Sequence, residues 1–292
     1  NVKKFETTST GIDVTGAIVT DAGGTIGATG TATTLAGIPF FSDTGNSSIY
    51  THDVSSTDDT ASQNAAYGIG ALDAITTGDH NTAIGMGALG ANTTGSRNIA
   101  LGRVALDAPD TENDNLAIGY NALAGTIAGG EYNVAVGNYT LDALTSADHC
   151  TVVGYQAGSA ITTGSNNTLI GYQAGDALTD GSRNTALGIS ALTSETSGVS
   201  NTALGASALT TSNGGNYNTA VGDQAGVLLT TGDNNQFMGY HAGYANTSGS
   251  NIIAIGYQAY DVADTESNNL AIGNAALGGA VAGGEYNVAI GN

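Results

Sequence analysis

Tryptophan is absent from this 292-residue chain, proline occurs twice and cysteine once. The single Cys150 excludes an intrachain disulfide as a staple of the fold. Charge is scarce and one-sided: 10% of residues carry it, and 25 acids face 5 bases, a formal net charge of −20. That balance argues against nucleic acid or an anionic membrane surface as a partner, because both would repel the chain. It suits a soluble surface object in salty water, where screening weakens self-repulsion. No apolar run is long enough to cross a bilayer, and no signal-peptide pattern opens the chain. The start at Asn1 without methionine and the stop in mid-repeat at Asn292 are expected of a piece of a longer polypeptide. Helical periodicity is missing as well, which argues against helix-pair repeats.

What is present is glycine, 45 residues of it, at regular stations. A short apolar run ends in glycine at Gly68, Gly85, Gly102, Gly119, Gly137, Gly154, Gly171, Gly188, Gly205, Gly222, Gly239, Gly256, Gly273 and Gly291. The step is 17 residues, with two steps of 18 that both contain Ala-Gly-Gly-Glu, at 128–131 and 282–285. A fixed period of this size marks a repeat architecture, which grows in one dimension and needs no single large core. Each unit reads as a strand opening on Asn, then an Ala-Leu or Ala-Gly pair that suits a second short strand, then a polar Gly-rich run. The expectation is an all-β fold: a β-solenoid of 17-residue coils stacked in parallel over 63–292. An N-terminal β connector or stem is expected over 1–62.

Residue types at fixed positions support stacking. Four residues before the repeat glycine stands Asn in all units but two: Asn81, Asn98, Asn115, Asn133, Asn167, Asn184, Asn201, Asn218 and Asn235 among them, with Cys150 and Ile252 as the exceptions. A column of identical Asn side chains can hydrogen-bond amide to amide along the axis. Repeat glycines such as Gly85, Gly102, Gly119, Gly171 and Gly188 mark either a positive φ or a backbone approach too close for Cβ. One residue before the glycine the side chain is large and apolar (Ile84, Leu101, Ile170, Leu187). Two before, it is mostly Ala (Ala83, Ala100, Ala186). Alternation puts the two sets on opposite faces. Both being apolar, one lines the coil and the other needs cover from outside, which predicts self-association; the pattern leaves open which is which. Gly158, Gly175, Gly226 and Gly243 replace a Leu, and for three of them an aliphatic follows three residues on, at Ile161, Leu178 and Leu229, suggesting two ways to fill one interior slot.

The N-terminal Asn1–Asp21 reads as one or two strands with a turn at Thr10-Gly11, and Ile38-Pro39-Phe40-Phe41 as a packing knot or subunit contact in a looser connector. A second-order repeat offsets 115–138 and 269–292 by 154 residues, nine coils or roughly 43 Å at the spacing of stacked strands.

Asn-Thr-Ala-Ile-Gly at 81–85, Asn-Val-Ala-Val-Gly at 133–137 and Asn-Val-Ala-Ile-Gly at 287–291 resemble the head repeats of YadA-type trimeric autotransporter adhesins. The resemblance covers residues 64–292 and implies a left-handed parallel β-roll assembled as a homotrimer. The family coil is usually a few residues shorter, so the extra residues should lengthen an outer loop. The segment 4–16 and the Gly-Tyr-Gln-Ala-Gly variant at 154–158 and 171–175 resemble stretches of bacteriophage tail fibres. Together these resemblances imply a virion fibre whose partners are sister chains, other tail proteins and a host surface receptor, a glycan among the candidates. The alternative is a bacterial cell-surface adhesin.

Other chemistry is thin. Asp79-His80 and Asp148-His149 share a coil position but lack a third partner for metal or catalysis, and read as turns. Asp58-Asp59, Asp110–Asp114 and Asp261–Glu266 offer oxygens to calcium without an ordered loop spacing. Tyr120, Tyr155, Tyr172, Tyr240 and Tyr257 follow the repeat glycine; they either stack on each other or, at Tyr155, Tyr172, Tyr240 and Tyr257, face a glycan. An ice-binding threonine face is broken at Ile99, Leu116, Val134 and Gln236. A polysaccharide-degrading β-helix needs an acidic cluster that nothing marks, and no nucleophile–base pair stands out. The expectation is therefore a structural protein without enzymatic activity or cofactor, located on a virion or, for an adhesin, on the cell surface.

Overall fold

Fourteen strands of three residues each, from Ala65–Tyr67 to Val288–Ile290, stack in one parallel ladder. The computed structural model describes residues 60–108, 111–262, 265–279 and 283–292, together with five strands before them. Register is strict. Thr168, Leu169 and Ile170 lie over Thr185, Ala186 and Leu187, and those over Thr202, Ala203 and Leu204. Each partner is one repeat away, so every coil presents the same positions to the next. Thirteen steps of about 4.8 Å make a rod of roughly 62 Å. Ends that far apart leave the ladder open, not closed into a barrel.

The N-terminal strands are β1 (Phe5–Thr8), β2 (Gly11–Val14), β3 (Thr33–Leu35), β4 (Ile38–Asp43) and β5 (Ser48–Tyr50). β1 and β2 pair antiparallel, Thr8 opposite Gly11, so Gly11 opens a strand; Ser9 and Thr10 between them lie outside the described residues. β3, β4 and β5 form an antiparallel meander, and Ile49 of β5 pairs in parallel with Ala65 of the first coil strand, β6 (Ala65–Tyr67). The apolar knot 38–41 thus lies in a strand, and the meander covers the sheet edge that a bare first coil would expose to pairing.

The repeat glycine satisfies both readings of its role. Gly171 has φ +146°, and a Cβ there would overlap the carbonyl oxygen of Gly188 in the next coil; the other repeat glycines behave alike down to Gly273, while Gly291, with no described coil beyond it, keeps only the positive φ. The expected second strand does not form. At the Ala-Leu or Ala-Gly pair the backbone turns left-handed twice, at Gln173 (φ 53°) and Gly175 (φ 58°), or at Ser190 (φ 54°) and Leu192 (φ 55°). A third left-handed residue, Arg183 (φ 59°) or its equivalents, precedes each Asn. A non-glycine residue in this region costs on the order of 1 kcal/mol and persists only where its surroundings hold it. Here the stacked coils do so, because each turn's N–H bonds the coil beside it, as Gln173 N–H does to Tyr155 O.

The coil interior is lined by the middle residue of each strand. Ala83, Ala100, Val152, Leu169, Ala186 and Phe237 are fully buried, as are the Ala of the turn (Ala174, Ala191), the Leu after it (Leu192, Leu209) and the slot of Ile161, Leu178 and Leu229. Size compensation exists, but its main partner is the strand centre. Leu169 replaces Ala, and a Cβ on Gly175 would come within 2.9 Å of its Cδ1 and one on Gly158 within 3.1 Å. Phe237 likewise occupies the space that side chains at Gly226 and Gly243 would need. The slot three residues on is filled either way, since Leu72 coexists with Ile75 and Leu141 with Leu144.

Candidate functional site

The two apolar rows of the sheet have opposite fates. The Ala-rich row faces the interior; the large aliphatic row faces out. Ile84, Leu101, Ile170, Leu187 (44% exposed), Leu204 and Met238 (48%) stand on the outer surface, with Ile118, Val136, Val153, Val221, Ile255 and Ile272 half-buried between them. The residues two before them share that face: Thr151, Thr168, Thr185, Thr202 and Thr219 in five successive coils, with Ile99, Leu116 and Val134 below and Gln236 above. Beyond the repeat glycine a third, mixed row continues it: Ile69, Met86, Tyr155, Tyr172, Ile189, Tyr240 and Tyr257 are exposed, and so are Arg103, Asn138, Asp223 and Asn274. The result is a strip along the rod that is apolar along its aliphatic row and mixed on the two rows beside it.

The aromatic edge of the strip is committed to itself. Tyr155 and Tyr172 stack with centroids 5.6 Å apart and planes 10° from parallel, and Tyr240 stacks on Tyr257 at 5.4 Å. Tyr139 meets Tyr120 and Tyr155 edge to face, and the Arg103 guanidinium lies over Tyr120. His241 is sandwiched between Tyr240 at 3.9 Å and Tyr244 at 4.4 Å, its Nε2 2.8 Å from Gln224 Oε1. Rings stacked one per coil cover each other's faces. A sugar therefore meets their edges and hydroxyls, not a broad π surface.

The asparagine column binds differently from the amide-to-amide expectation. Asn184 Oδ1 accepts from the Asn201 backbone N–H at 2.9 Å, while Asn184 Nδ2 donates to Gly198 O at 2.8 Å. The same pair of bonds recurs from Asn64 to Asn81 to Asn98 to Asn115 and on to Asn133, and again from Asn201 to Asn235. Each buried side chain thus bridges its own coil and the next through backbone groups. A direct amide-to-amide bond in this column joins Asn287 Nδ2 to Asn269 Oδ1. At the two exceptions the incoming bond survives, since Cys150 N–H and Ile252 N–H still donate to Asn133 and Asn235. Burial pushes the Cys150 thiol up from its ordinary range, and its Sγ–H makes a weak version of the outgoing bond, to Gly164 O at 3.4 Å.

A second polar column went unremarked in the sequence, although its signal is readable there: Asp, Ser or Asn two residues before the column position, except at Glu131, Val199 and Glu285. Asp79 Oδ1 accepts from Ser62 N–H, Ser96 Oγ from Asp79 N–H, and Asn113 Oδ1 from Ser96 N–H. Asp148, Ser165, Ser182, Asn216, Asp233, Ser250 and Ser267 continue it. Asp79 and Asp148 are therefore turn ligands of the backbone, and His149 stacks on Tyr132. Arg97 makes a two-pronged ion pair with Asp114 at 2.6 and 2.7 Å on the surface, and that partner pulls the Asp114 carboxyl below its ordinary range. Of the calcium candidates, Asp58-Asp59, Asp110 and Asp264 lie outside the described residues. Glu112 and Glu266 turn their carboxylates to the N–H groups of Gly129 and Gly283 in the two 18-residue coils. Among the described residues no group of three or more His, Cys, Asp or Glu stands together as a metal site would require.

Comparison with known proteins returns nothing: no family model, no curated protein and no solved structure matches the chain.

Proposed function

We propose that the chain is a fibre-forming structural protein whose copies associate through the outward strip, as a homotrimer of left-handed β-rolls. The observation that carries this is the unbroken outer aliphatic row from Tyr67 to Ile290. Three rows spaced by two residues are about 13 Å wide, and over a rod of roughly 62 Å they offer about 800 Å² per chain. In a trimer that area is shared between two neighbours, with the aliphatic row at the centre of the contact and mixed rows at its rim. Threefold symmetry and the left-handed winding come from the resemblance to YadA-type heads. A cyclic trimer needs two complementary patches per chain, and the aliphatic rows and the aromatic edge are suited to meet across it.

The role we infer is a shaft or head of a phage tail fibre that holds a receptor-binding part away from the virion. The mechanism is mechanical: parallel hydrogen bonds run along the axis, apolar rows are buried within and between chains, and three arginines among residues 60–292 give trypsin few sites. Sedimentation velocity of the purified chain, with imaging of its symmetry, tests this. A threefold rod is the expected result; a monodisperse monomer at micromolar concentration ends the reading. The second reading, a bacterial surface adhesin, is favoured by the Asn-Val-Ala-Ile-Gly repeats themselves. It requires a secretion signal and a membrane anchor outside residues 1–292.

A further inference from the structure

Two neighbouring coils depart from the pattern at three touching places. Glu195 fills the interior slot that Leu178 and Leu229 fill elsewhere, Ser212 fills it in the next coil, and the loop beside it reads Asn213-Gly214 where six of the remaining coils carry Thr-Thr or Thr-Ser and the coil at Leu178 carries Thr179-Asp180. These departures touch each other. Fully buried Glu195 receives Ser212 Oγ–H on Oε2 at 2.6 Å. Its Oε1 accepts from the N–H groups of Thr196, Ser197 and Gly198, and from Gly214 N–H at 2.7 Å. In the neighbouring coil, with Leu178 in the slot, the corresponding N–H groups of Thr179, Asp180 and Gly181 go instead to the carbonyl of Thr196. The Glu195 carboxylate does for its own coil what the Thr196 carbonyl does for the one before and, in addition, reaches across to the Gly214 amide.

Asn213-Gly214 is the single Asn-Gly dipeptide in the 292 residues, and Asn213 is exposed. Asn-Gly is chemically the sequence most prone to spontaneous deamidation, because glycine has no side chain to hinder attack by its own nitrogen. In that reaction the Gly214 nitrogen bonds to the Asn213 side-chain carbonyl carbon and gives up its proton, and ammonia leaves. Water then opens the five-membered imide to aspartate or isoaspartate. Both reacting groups are held here. Gly214 N–H is on Glu195, and the Asn213 carbonyl oxygen accepts from the Thr196 hydroxyl at 2.5 Å, on the coil before. Gly214 itself is kept at φ +91°, its carbonyl receiving Asn216 Nδ2.

We propose that Asn213 is a latent deamidation site and that Glu195, with Thr196, is the lock that keeps it silent in the folded protein. Attack requires the amide nitrogen to leave the carboxylate and the side chain to leave Thr196, so the rate follows the population in which this loop opens. The lock lies within one chain and is independent of how copies associate.

The test is slow incubation at mildly alkaline pH followed by peptide mapping for isoaspartate and for the mass gain of amide-to-acid exchange. Folded wild-type protein should show little conversion at Asn213 while the same chain in denaturant converts readily. Glu195→Leu installs the residue that the preceding coil carries at Leu178 and should fold, yet convert at Asn213 about tenfold faster or more, the effect of losing one charge-assisted hydrogen bond. Asn213→Ser identifies the signal by abolishing it. If Glu195→Leu does not fold, Thr196→Val releases the second restraint from the coil surface and should give a smaller increase. Conversion of the folded wild type as fast as the denatured chain overturns the proposal. So does a folded Glu195→Leu or Thr196→Val protein that ages at the wild-type rate.

Discussion

Along each strand two apolar rows lie one residue apart, and they do different work. The inner row, with Leu169 and Phe237 among alanines, is sealed in the coil. The outer row, with Ile170 and Met238 beside them, stands in water in the single chain. The inner row tolerates size changes because glycines at Gly158, Gly175, Gly226 and Gly243 make room. The outer row has no such compensation; in the proposed assembly its partner lies on another chain. Stability of the rod then resides inside, and the proposed capacity to associate outside.

Several substitutions sharpen that contrast. Phe237→Ala should be the most damaging, about 3–5 kcal/mol in a denaturant melt, because Gly226 and Gly243 cannot refill the cavity. Leu178→Ala should cost about 2–4 kcal/mol by the same route; a near-zero change would mean that its slot collapses freely. Asn184→Ala should cost about 1–3 kcal/mol, because it strands the Asn201 N–H and Gly198 carbonyl in the interior. Asp142→Asn should have a small effect whose sign depends on pH. Burial raises the Asp142 carboxyl above its ordinary value, so the folded state holds that proton more tightly and loses stability as pH rises through the raised value. The variant should melt slightly higher at neutral pH and no higher in acid below the carboxylate range. In the outer row, Leu187→Glu should change the stability of the single chain by less than about 0.5 kcal/mol. It should nonetheless collapse the sedimentation profile toward monomer. A large loss of chain stability with association intact would erase the distinction between the rows.

Much of this was legible in the chain itself. The period, the parallel stacking, the in-register Asn column and the glycine stations follow from identity at fixed spacing. The strand after each Asn was legible too. Alternation of two apolar sets is symmetric, however, so it could not say that Ala83 goes in and Ile84 out; the turn at Gln173 and Leu192 decides that by curling the chain toward one side. The second strand was misread because Leu192 and Leu209 give no hint of a left-handed backbone, which neighbouring coils impose. The Asn ladder was identified by position but not by partner, since a pattern of residue types does not show which backbone groups each coil leaves free. Glu195 escaped notice because a lone Glu in a polar-looking loop resembles a solvated one until the coil closes over it.

The sequence by itself determined that this protein is a stack: a motif repeated at constant spacing can satisfy its backbone hydrogen bonds most uniformly by lying on its own copy. Only the tertiary structure decided which apolar row meets water, how large strand centres find room, and that one carboxylate reaches the amide of a loop in the next coil. Those outcomes depend on contacts between residues 17 or more apart in the chain, and such contacts exist only once the coil has turned and closed.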